Sequence, residues 1–280
     1  MSCRIIDGKS LAEKIRGGVA AEVALMRVKP CLSVVLVGED PASKVYVSMK
    51  EVACLGAGMK SRNIKLPENT NEEKLLAEIR GLNADKTVHG ILVQVPLPKQ
   101  ISEAAVLGAV APEKDVDGFN PCNVGKLQGG TPAFVPATPK GIMRLLKEEG
   151  VALAGKHAVV VGRSNIVGKP VASLLLAADA TVTQCHSKTK DLASFTKQAD
   201  ILVVAVGKPR LITKEMVKKG AIVIDAGTSK GTDGKLAGDV DEGVRDIASA
   251  ITPVPGGVGP MTIAMLLENT LRAARAQGCR

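Results

Sequence analysis

Apolar positions along the chain come in two alternating patterns. Short, dense, β-branched runs lie at residues 32–37, more weakly at 61–66, and at 89–95. Between them, residues 9–26, 42–55 and 72–83 space their apolar side chains at the three-to-four-residue period of a helix buried along one side. Asn71 before Glu72, Glu73 and Lys74 predicts a helix start, because its side chain can accept from an open N–H of the first turn. The second half repeats the alternation, with strands predicted at 157–161, 181–185, 201–206 and 221–225, each separated by a helical stretch, and a further helix at 261–276. Parallel strands need long crossovers, so this alternation predicts an α/β class with a mostly parallel sheet. Between the halves, residues 115–139 are rich in Gly, Pro, Asn and Thr and carry little periodicity, which reads as a long ordered loop and domain junction.

Composition narrows the function. The 280 residues are 45% hydrophobic, enough for one large or two ordinary packed cores. No stretch of roughly 18 residues is apolar and uncharged, and Asp7, Glu13 and Glu22 interrupt the N-terminal segment. A protein of the cytoplasm, neither exported nor membrane-spanning, is expected. The net charge of +9 raises nucleic acid as a partner, but aromatic residues make up only 1% of the chain, leaving almost nothing to stack on exposed bases. The charge is distributed rather than blocked, which suits a solvated surface or an anionic small ligand. Cys3, Cys31, Cys54, Cys122, Cys185 and Cys279 stand singly, without C-x-x-C spacing, and His89, His157 and His186 are dispersed, so no metal is expected.

After the predicted strand ending at Val161 comes Gly162-Arg163-Ser164-Asn165-Ile166-Val167-Gly168-Lys169-Pro170, then a helical segment at 171–178. Strand, glycine turn and helix start form an arrangement that can hold a pyrophosphate on backbone N–H groups. Ser164 stands where the usual fingerprint has its second glycine, so spacing alone is equally consistent with a plain strand-to-helix turn. The next strand runs into Cys185-His186-Ser187-Lys188-Thr189-Lys190, without the acid that accepts from a ribose 2′-hydroxyl. Hydroxyls and cations there, with Arg163, favour NADP over NAD, although Lys188 and Lys190 also fit an ordinary exposed loop.

A second constellation lies at residues 38–50. In a helix from Ala42, Ser43, Tyr46 and Lys50 share one face at i, i+3 and i+7, and Tyr46 is the only tyrosine of the chain. A tyrosine and a lysine one turn apart suit acid/base work, and equally suit a lysine snorkelling over an aromatic ring. Gln94 closes an apolar strand just before Pro96 and Pro98, at the strand end where α/β folds bind ligands. The loop Asp115-Val116-Asp117-Gly118 offers two carboxylates, which also fit ordinary turn chemistry.

Taken in order, these segments resemble the methylenetetrahydrofolate dehydrogenase/cyclohydrolase family. The resemblance runs from Ile6-Asp7-Gly8-Lys9 through Pro41 to Lys50, Gln94 to Pro98, Lys114 to Phe119, Thr138 to Gly141, Gly162 to Ser164 and Thr252 to Thr262. It implies two α/β lobes around a cleft: a folate-binding catalytic domain of residues 1–138 plus 262–280, and a Rossmann-like NADP-binding domain of residues 139–261. It implies oxidation of 5,10-methylenetetrahydrofolate with NADP, then hydrolysis of the methenyl product to 10-formyltetrahydrofolate, by a homodimer formed through the Rossmann domains. Lys50 becomes the key catalytic group, Tyr46 the residue that stacks on and orients the folate, and Gln94 the hydrogen-bond partner of Lys50. Ser43, Asp117, Pro255, Gly256 and Gly257 are implied to contact the substrate. Gly162, Arg163, Ser164, Ser187 and Thr228 are implied to hold NADP. Ala137, Asn120 and Thr228 depart from the commonest residues of that pattern, at positions not expected to carry chemistry.

Overall fold

The computed structural model describes residues 3–230, 234 and 236–279. Arg4–Ile5 (β1) is followed by the helix Gly8–Leu25 (α1), then Cys31–Val37 (β2), Pro41–Gly56 (α2), Lys60–Leu66 (β3), Glu72–Ala84 (α3), Gly90–Val93 (β4), Glu103–Ala109 (α4) and Pro121–Gln128 (α5). The chain continues with Ala137–Glu148 (α6), His157–Val161 (β5), Gly168–Ala177 (α7), Thr181–Cys185 (β6), Leu192–Thr196 (α8), Ile201–Val204 (β7) and Ile222–Asp225 (β8). It closes with Ser229–Lys230 (β9), Leu236–Ala237 (β10), Ala250–Ile251 (β11) and Val258–Ala276 (α9). No helix among the described residues is long and apolar enough to cross a membrane.

The chain forms two compact units, a first of residues 13–137 and 263–280 and a second of residues 1–12 and 138–262. This division differs from the expected domains at the N-terminus: β1 pairs in parallel with β11, which carries residues 3–12 into the second unit. Residues 1–2, 231–233, 235 and 280, included in the expected boundaries, lie outside the described residues.

The first unit holds a three-stranded parallel sheet in the order β3-β2-β4. The central strand β2 is buried at all of its positions, as its nearly continuous apolar sequence requires, and its one polar side chain, Ser33, donates to the Arg62 carbonyl at 3.2 Å. Helix α3 starts as expected, with Asn71 accepting from the Lys74 N–H at 2.9 Å, and it buries Leu75, Ile79 and Leu82. The expected long loop at 115–139 instead contains α5 and the start of α6. Helix α5 escapes a periodicity reading because it is two turns long; it is set by Pro121 in its first turn and by Asn120, whose Oδ1 accepts from the Cys122 N–H at 2.8 Å.

The second unit is built on a six-stranded, all-parallel sheet in the order β1-β11-β8-β7-β5-β6. The expected alternation with helices holds fully only after β5. A five-residue helix joins β6 to β7, and β7 reaches β8 through the single 3₁₀ turn Lys214–Met216. The chain leaves β5 for the β6 side and leaves β7 for the β8 side, so the topological switch point lies between the neighbouring strands β5 and β7. Val159 and Val161 of β5, Leu202 and Val204 of β7 and Val223 of β8 form a core, with Ala199, Ile212, Val217 and Val244 packed among them.

Candidate active site

Helix α2 is launched by Asp40, whose carboxylate accepts from the Ser43 N–H at 2.7 Å, with Pro41 as the first helical residue. That start fixes the face carrying Ser43, Tyr46 and Lys50. Ser43 is buried, Tyr46 is 40% exposed, and Lys50 is half-buried. Lys50 does not snorkel: its Nζ donates to Gln94 Oε1 at 2.9 Å. Gln94 continues the sheet by one rung, its N–H donating to Val35 O at 2.9 Å, while its Nε2 donates to Val95 O at 2.7 Å. The second bond decides which end of the amide faces the lysine, since a flipped amide would set two oxygens against each other.

Asp117 lies on a loop built by side-chain hydrogen bonds. Buried Asp115 accepts from Phe119 N at 3.2 Å, Asn120 N at 2.8 Å and Asn123 Nδ2 at 2.8 Å. Lys114 Nζ donates to the carbonyls of Leu82, Asn83 and Asp85, closing the C-terminal end of α3. Gly118 adopts φ +71°, and a Cβ there would stand 3.0 Å from Pro136 N. The two carboxylates of the loop therefore differ in kind. Asp115 does turn chemistry, and Asp117 is within electrostatic reach of Lys50.

Burial pushes the Lys50 ammonium below the ordinary lysine range, with Asp117 pulling the other way. Burial also raises the Asp117 carboxyl to about 6, opposed by Lys50 and reinforced by Asp115. Both shifts favour neutral forms, so a proton near this pair is held less firmly by the amine than in water. A lysine in such surroundings can act as a base closer to neutrality.

The remaining sequence-derived residues belong to the second unit, at the carboxyl ends of its parallel strands. Gly162, Arg163 and Ser164 follow β5, Ser187 follows β6, Thr228 follows β8, and Pro255, Gly256 and Gly257 follow β11. Gly162 has φ +131°, and a Cβ on it would collide with the Ala205 carbonyl, so the turns after β5 and β7 touch at the switch point. Gly168 likewise leaves no room for a Cβ against Gly162 and Arg163. The Ser164 hydroxyl accepts from Val167 N at 3.1 Å and Gly168 N at 3.2 Å, shaping the entry to α7 and leaving its own O–H to donate outward. Arg163, Ser187, Lys188 and Thr228 are exposed. The turn carrying Ser187 is pinned by His186 N donating to Thr189 Oγ1 at 2.8 Å and by Lys188 N donating to His186 Nδ1 at 3.1 Å.

The loop 252–257 is braced by the N-terminal segment: Lys9 N donates to Gly256 O at 2.8 Å, and Gly8 packs its bare Cα against the Gly257 carbonyl. Thr138 and Thr262 share a 2.9 Å hydrogen bond, and a Cβ on Gly141 would stand 2.9 Å from the Met261 Cβ. The motifs at 6–9 and 138–141 thus pack against the glycine-rich segment. Lys50, Tyr46, Gln94, Ser43 and Asp117 lie in the first unit, and the other eight sequence-derived residues lie in the second. Sequence reasoning missed the framework residues Asn123 and Asn269 and the carboxylates Asp225 and Asp239. Their sequence signal was only that Asp and Asn favour contacts with backbone groups. No group of three or more His, Cys, Asp or Glu side chains among the described residues could hold a metal ion.

Comparison with known proteins places these features in context. The family described as "Tetrahydrofolate dehydrogenase/cyclohydrolase, catalytic domain" matches residues 6–117, and the family described as "Tetrahydrofolate dehydrogenase/cyclohydrolase, NAD(P)-binding domain" matches residues 136–278. The chain is 58% identical over 279 residues to the bifunctional protein FolD of Geobacillus thermodenitrificans, covering 98% of each chain. It is similar to the solved structure of the bifunctional FolD dehydrogenase/cyclohydrolase of Campylobacter jejuni, with a TM-score of 0.97 and 49% identity, covering 98% of this chain and 99% of that one. It is also similar to the Trypanosoma brucei methylenetetrahydrofolate dehydrogenase-cyclohydrolase solved with NADP and an inhibitor, with a TM-score of 0.94 and 41% identity, covering 99% of this chain and 98% of that one.

Proposed function

Because the chain belongs to the tetrahydrofolate dehydrogenase/cyclohydrolase family, we infer that it oxidises 5,10-methylenetetrahydrofolate to the methenyl form with NADP and then hydrolyses that product to 10-formyltetrahydrofolate. The observation that carries the reading is the 2.9 Å contact of Lys50 Nζ with Gln94 Oε1, beside a carboxyl group and on the same helix as the lone tyrosine.

NADP, when bound, would supply the acceptor for the hydride lost from the one-carbon bridge, and the second unit suits it: glycines where a Cβ would fill the turn, a helix entry after β5, and hydroxyl and basic groups rather than an acid after β6. Arg163 and Lys188 supply positive charge for phosphate groups, and the outward O–H of Ser164 supplies a donor. Gly162, Ser187 and Thr228 complete the proposed cofactor set.

In the hydrolytic step Lys50 acts as the base. Water adds to the methenyl carbon and gives its proton to the Lys50 amine, either directly or through Tyr46. The C=O of the formyl group then forms as the bond from that carbon to the pterin-ring nitrogen breaks, the adduct's hydroxyl proton passing to that nitrogen, so that the formyl group stays on the other nitrogen and the Lys50 ammonium returns its proton to solvent. The methenyl cation itself disfavours a second positive charge nearby, so it lowers the Lys50 pKa further when bound. Gln94 holds the amine in place through an oxygen that accepts from either protonation state. Tyr46 orients the folate by stacking, and Asp117 anchors the pterin amino edge. Ser43 is assigned to substrate contact with them, and Pro255, Gly256 and Gly257 are assigned to it by the resemblance alone.

The working form is a cytoplasmic homodimer associated through the second unit. Support for this comes from β6, which ends that unit's sheet, and from the exposed Leu176 and Phe195 on its flanking helices. A monomer mass by light scattering at micromolar concentration would sink the dimer. The enzymatic reading is tested by following methenyl formation and decay from 5,10-methylenetetrahydrofolate with NADP and with NAD in parallel. NADP-dependent turnover with methenyl decay above the spontaneous rate is expected, and no turnover with either nucleotide would refute it.

A further inference from the structure

Two buried carboxylates outside every sequence-derived site lie at the carboxyl edge of the second unit's sheet. Asp225 ends β8 and is 3% exposed, and Asp239 is fully buried. Asp239 Oδ2 accepts from Val206 N at 2.7 Å and Gly207 N at 2.9 Å, in the loop after β7. Asp225 Oδ1 accepts from Gly227 N at 2.9 Å and from Asp239 N at 3.0 Å, and its Oδ2 accepts from Val240 N at 3.0 Å. Asp225 N in turn donates to Thr252 Oγ1 at 2.8 Å, at the start of the Pro-Gly loop.

The two acids and two glycines interlock. A Cβ on Gly227 would overlap the Asp239 carboxylate, and a Cβ on Gly238 would overlap the Asp225 carboxylate. Glycine at both places lets each acid press against the other's loop.

Such an arrangement is costly for stability alone. Neither acid forms an ion pair among the described residues, and Asp239 Oδ1 is buried with no hydrogen-bond partner. Burial pushes the Asp225 carboxyl up to about 6, against the backbone N–H groups it accepts from and with a smaller push from the Asp239 charge. Well-packed apolar side chains would fill a core position at lower cost, and departures of this kind concentrate where a protein positions something for function. What the acids hold are backbone N–H groups: five of them, from the loop after β7, the loop after β8 and the segment 239–240. The loop after β7 touches Gly162 at the switch point, and the loop after β8 carries Thr228 directly after Gly227.

We propose that Asp239, braced by Asp225, is a positioning residue for NADP, holding the Val206–Gly207 and Gly227–Thr228 backbone in the form that the nucleotide meets. This rests on the reading that NADP binds at this edge. Asp239 acts through the loops, and its carboxylate faces their N–H groups.

The test compares Asp239→Ala with Asp239→Asn by steady-state kinetics with NADP at saturating folate. Alanine removes both bonds to Val206 and Gly207, while asparagine keeps an oxygen that can accept them. The KM for NADP is expected to rise about tenfold or more in Asp239→Ala, the size of one hydrogen bond to a charged group, with kcat changed less than threefold. Asp239→Asn is expected to stay within about threefold of wild type. An unchanged KM in Asp239→Ala overturns the proposal, as does an Asp239→Asn enzyme as impaired as the alanine variant. If Asp239→Ala does not fold, amide exchange in the wild type decides: slow exchange at Val206 and Gly207 without nucleotide is expected, and exchange at open-loop rates overturns the proposal. A wild-type enzyme that neither binds nor turns over NADP overturns the functional reading and this proposal together, whereas normal wild-type turnover with an unaffected Asp239→Ala enzyme overturns this proposal alone.

Discussion

Asn269, in the C-terminal helix α9, donates from Nδ2 to the Val116 carbonyl at 2.8 Å across 153 positions of sequence. The same nitrogen reaches Val135 O at 2.9 Å. Val116 is flanked by the two acids of its loop, so the C-terminal helix fixes the backbone from which Asp117 projects. Asn269 is 1% exposed, and removing its amide leaves two carbonyls without that donor. Asn269→Ala is expected to lower unfolding free energy by on the order of 2 kcal/mol and to raise the KM for folate while leaving that for NADP near wild type. Denaturant midpoints and the two Michaelis constants check it, and equal rises in both constants would contradict the local role.

Lys50→Met removes the proposed base and replaces a disfavoured ammonium by a side chain of similar length. Hydrolysis of supplied 5,10-methenyltetrahydrofolate should fall by at least about 100-fold, toward the spontaneous rate, with thermal stability preserved or raised. Methenyl decay at the wild-type rate would remove Lys50 from the mechanism.

The pH dependence has a definite sign. A base works in its neutral form, so the hydrolytic kcat should rise with pH and level off below the ordinary lysine pKa, since burial lowers that of Lys50. The Asp117 carboxylate favours the ammonium, so Asp117→Asn should move the rising limb to lower pH at saturating substrate. A limb displaced to higher pH in that variant would contradict the coupling.

Asp117 also predicts a stability change. Its folded-state pKa is raised to about 6, so its contribution is complete below the ordinary carboxyl range and is lost as pH rises through about 6. Wild-type stability should therefore carry a downward component between about pH 4 and 6 that Asp117→Asn lacks. Parallel stability profiles for the two proteins over that window would rule this out.

Gly162→Ala places a methyl group against the Ala205 carbonyl at a φ of +131°. The backbone conformation alone costs about 1–3 kcal/mol, and relief of the overlap requires the turns after β5 and β7 to separate. NADP binding should fall at least about tenfold, measured by titration, while hydrolysis of supplied methenyl substrate continues. Wild-type affinity in the alanine variant would show that this turn does not shape the cofactor site.

Much of this was legible in the chain. The period of apolar residues gave the α/β alternation because burial on one face or two leaves its own spacing in the sequence, as in fully buried β2. The helical spacing of Ser43, Tyr46 and Lys50 set a common face, and the glycine turn after β5 was readable because few other residues fit such a conformation. The short helices α4 and α5 were not readable. Two turns yield too little periodicity, and α5 depends on Asn120, which holds Gly108 O, Val110 O and Cys122 N at once.

The sequence by itself determined the fold class and the family, since these follow from local spacing and from strings of residues in order. Only the tertiary structure decided that Asp115 builds the loop while Asp117 is left to Lys50, and that β1 joins the sheet of the second unit. The physical reason is the same in each case. Desolvation and hydrogen bonding depend on which groups from distant parts of the chain arrive together, and nothing in the local pattern around Asp115 and Asp117 distinguishes two carboxylates two residues apart.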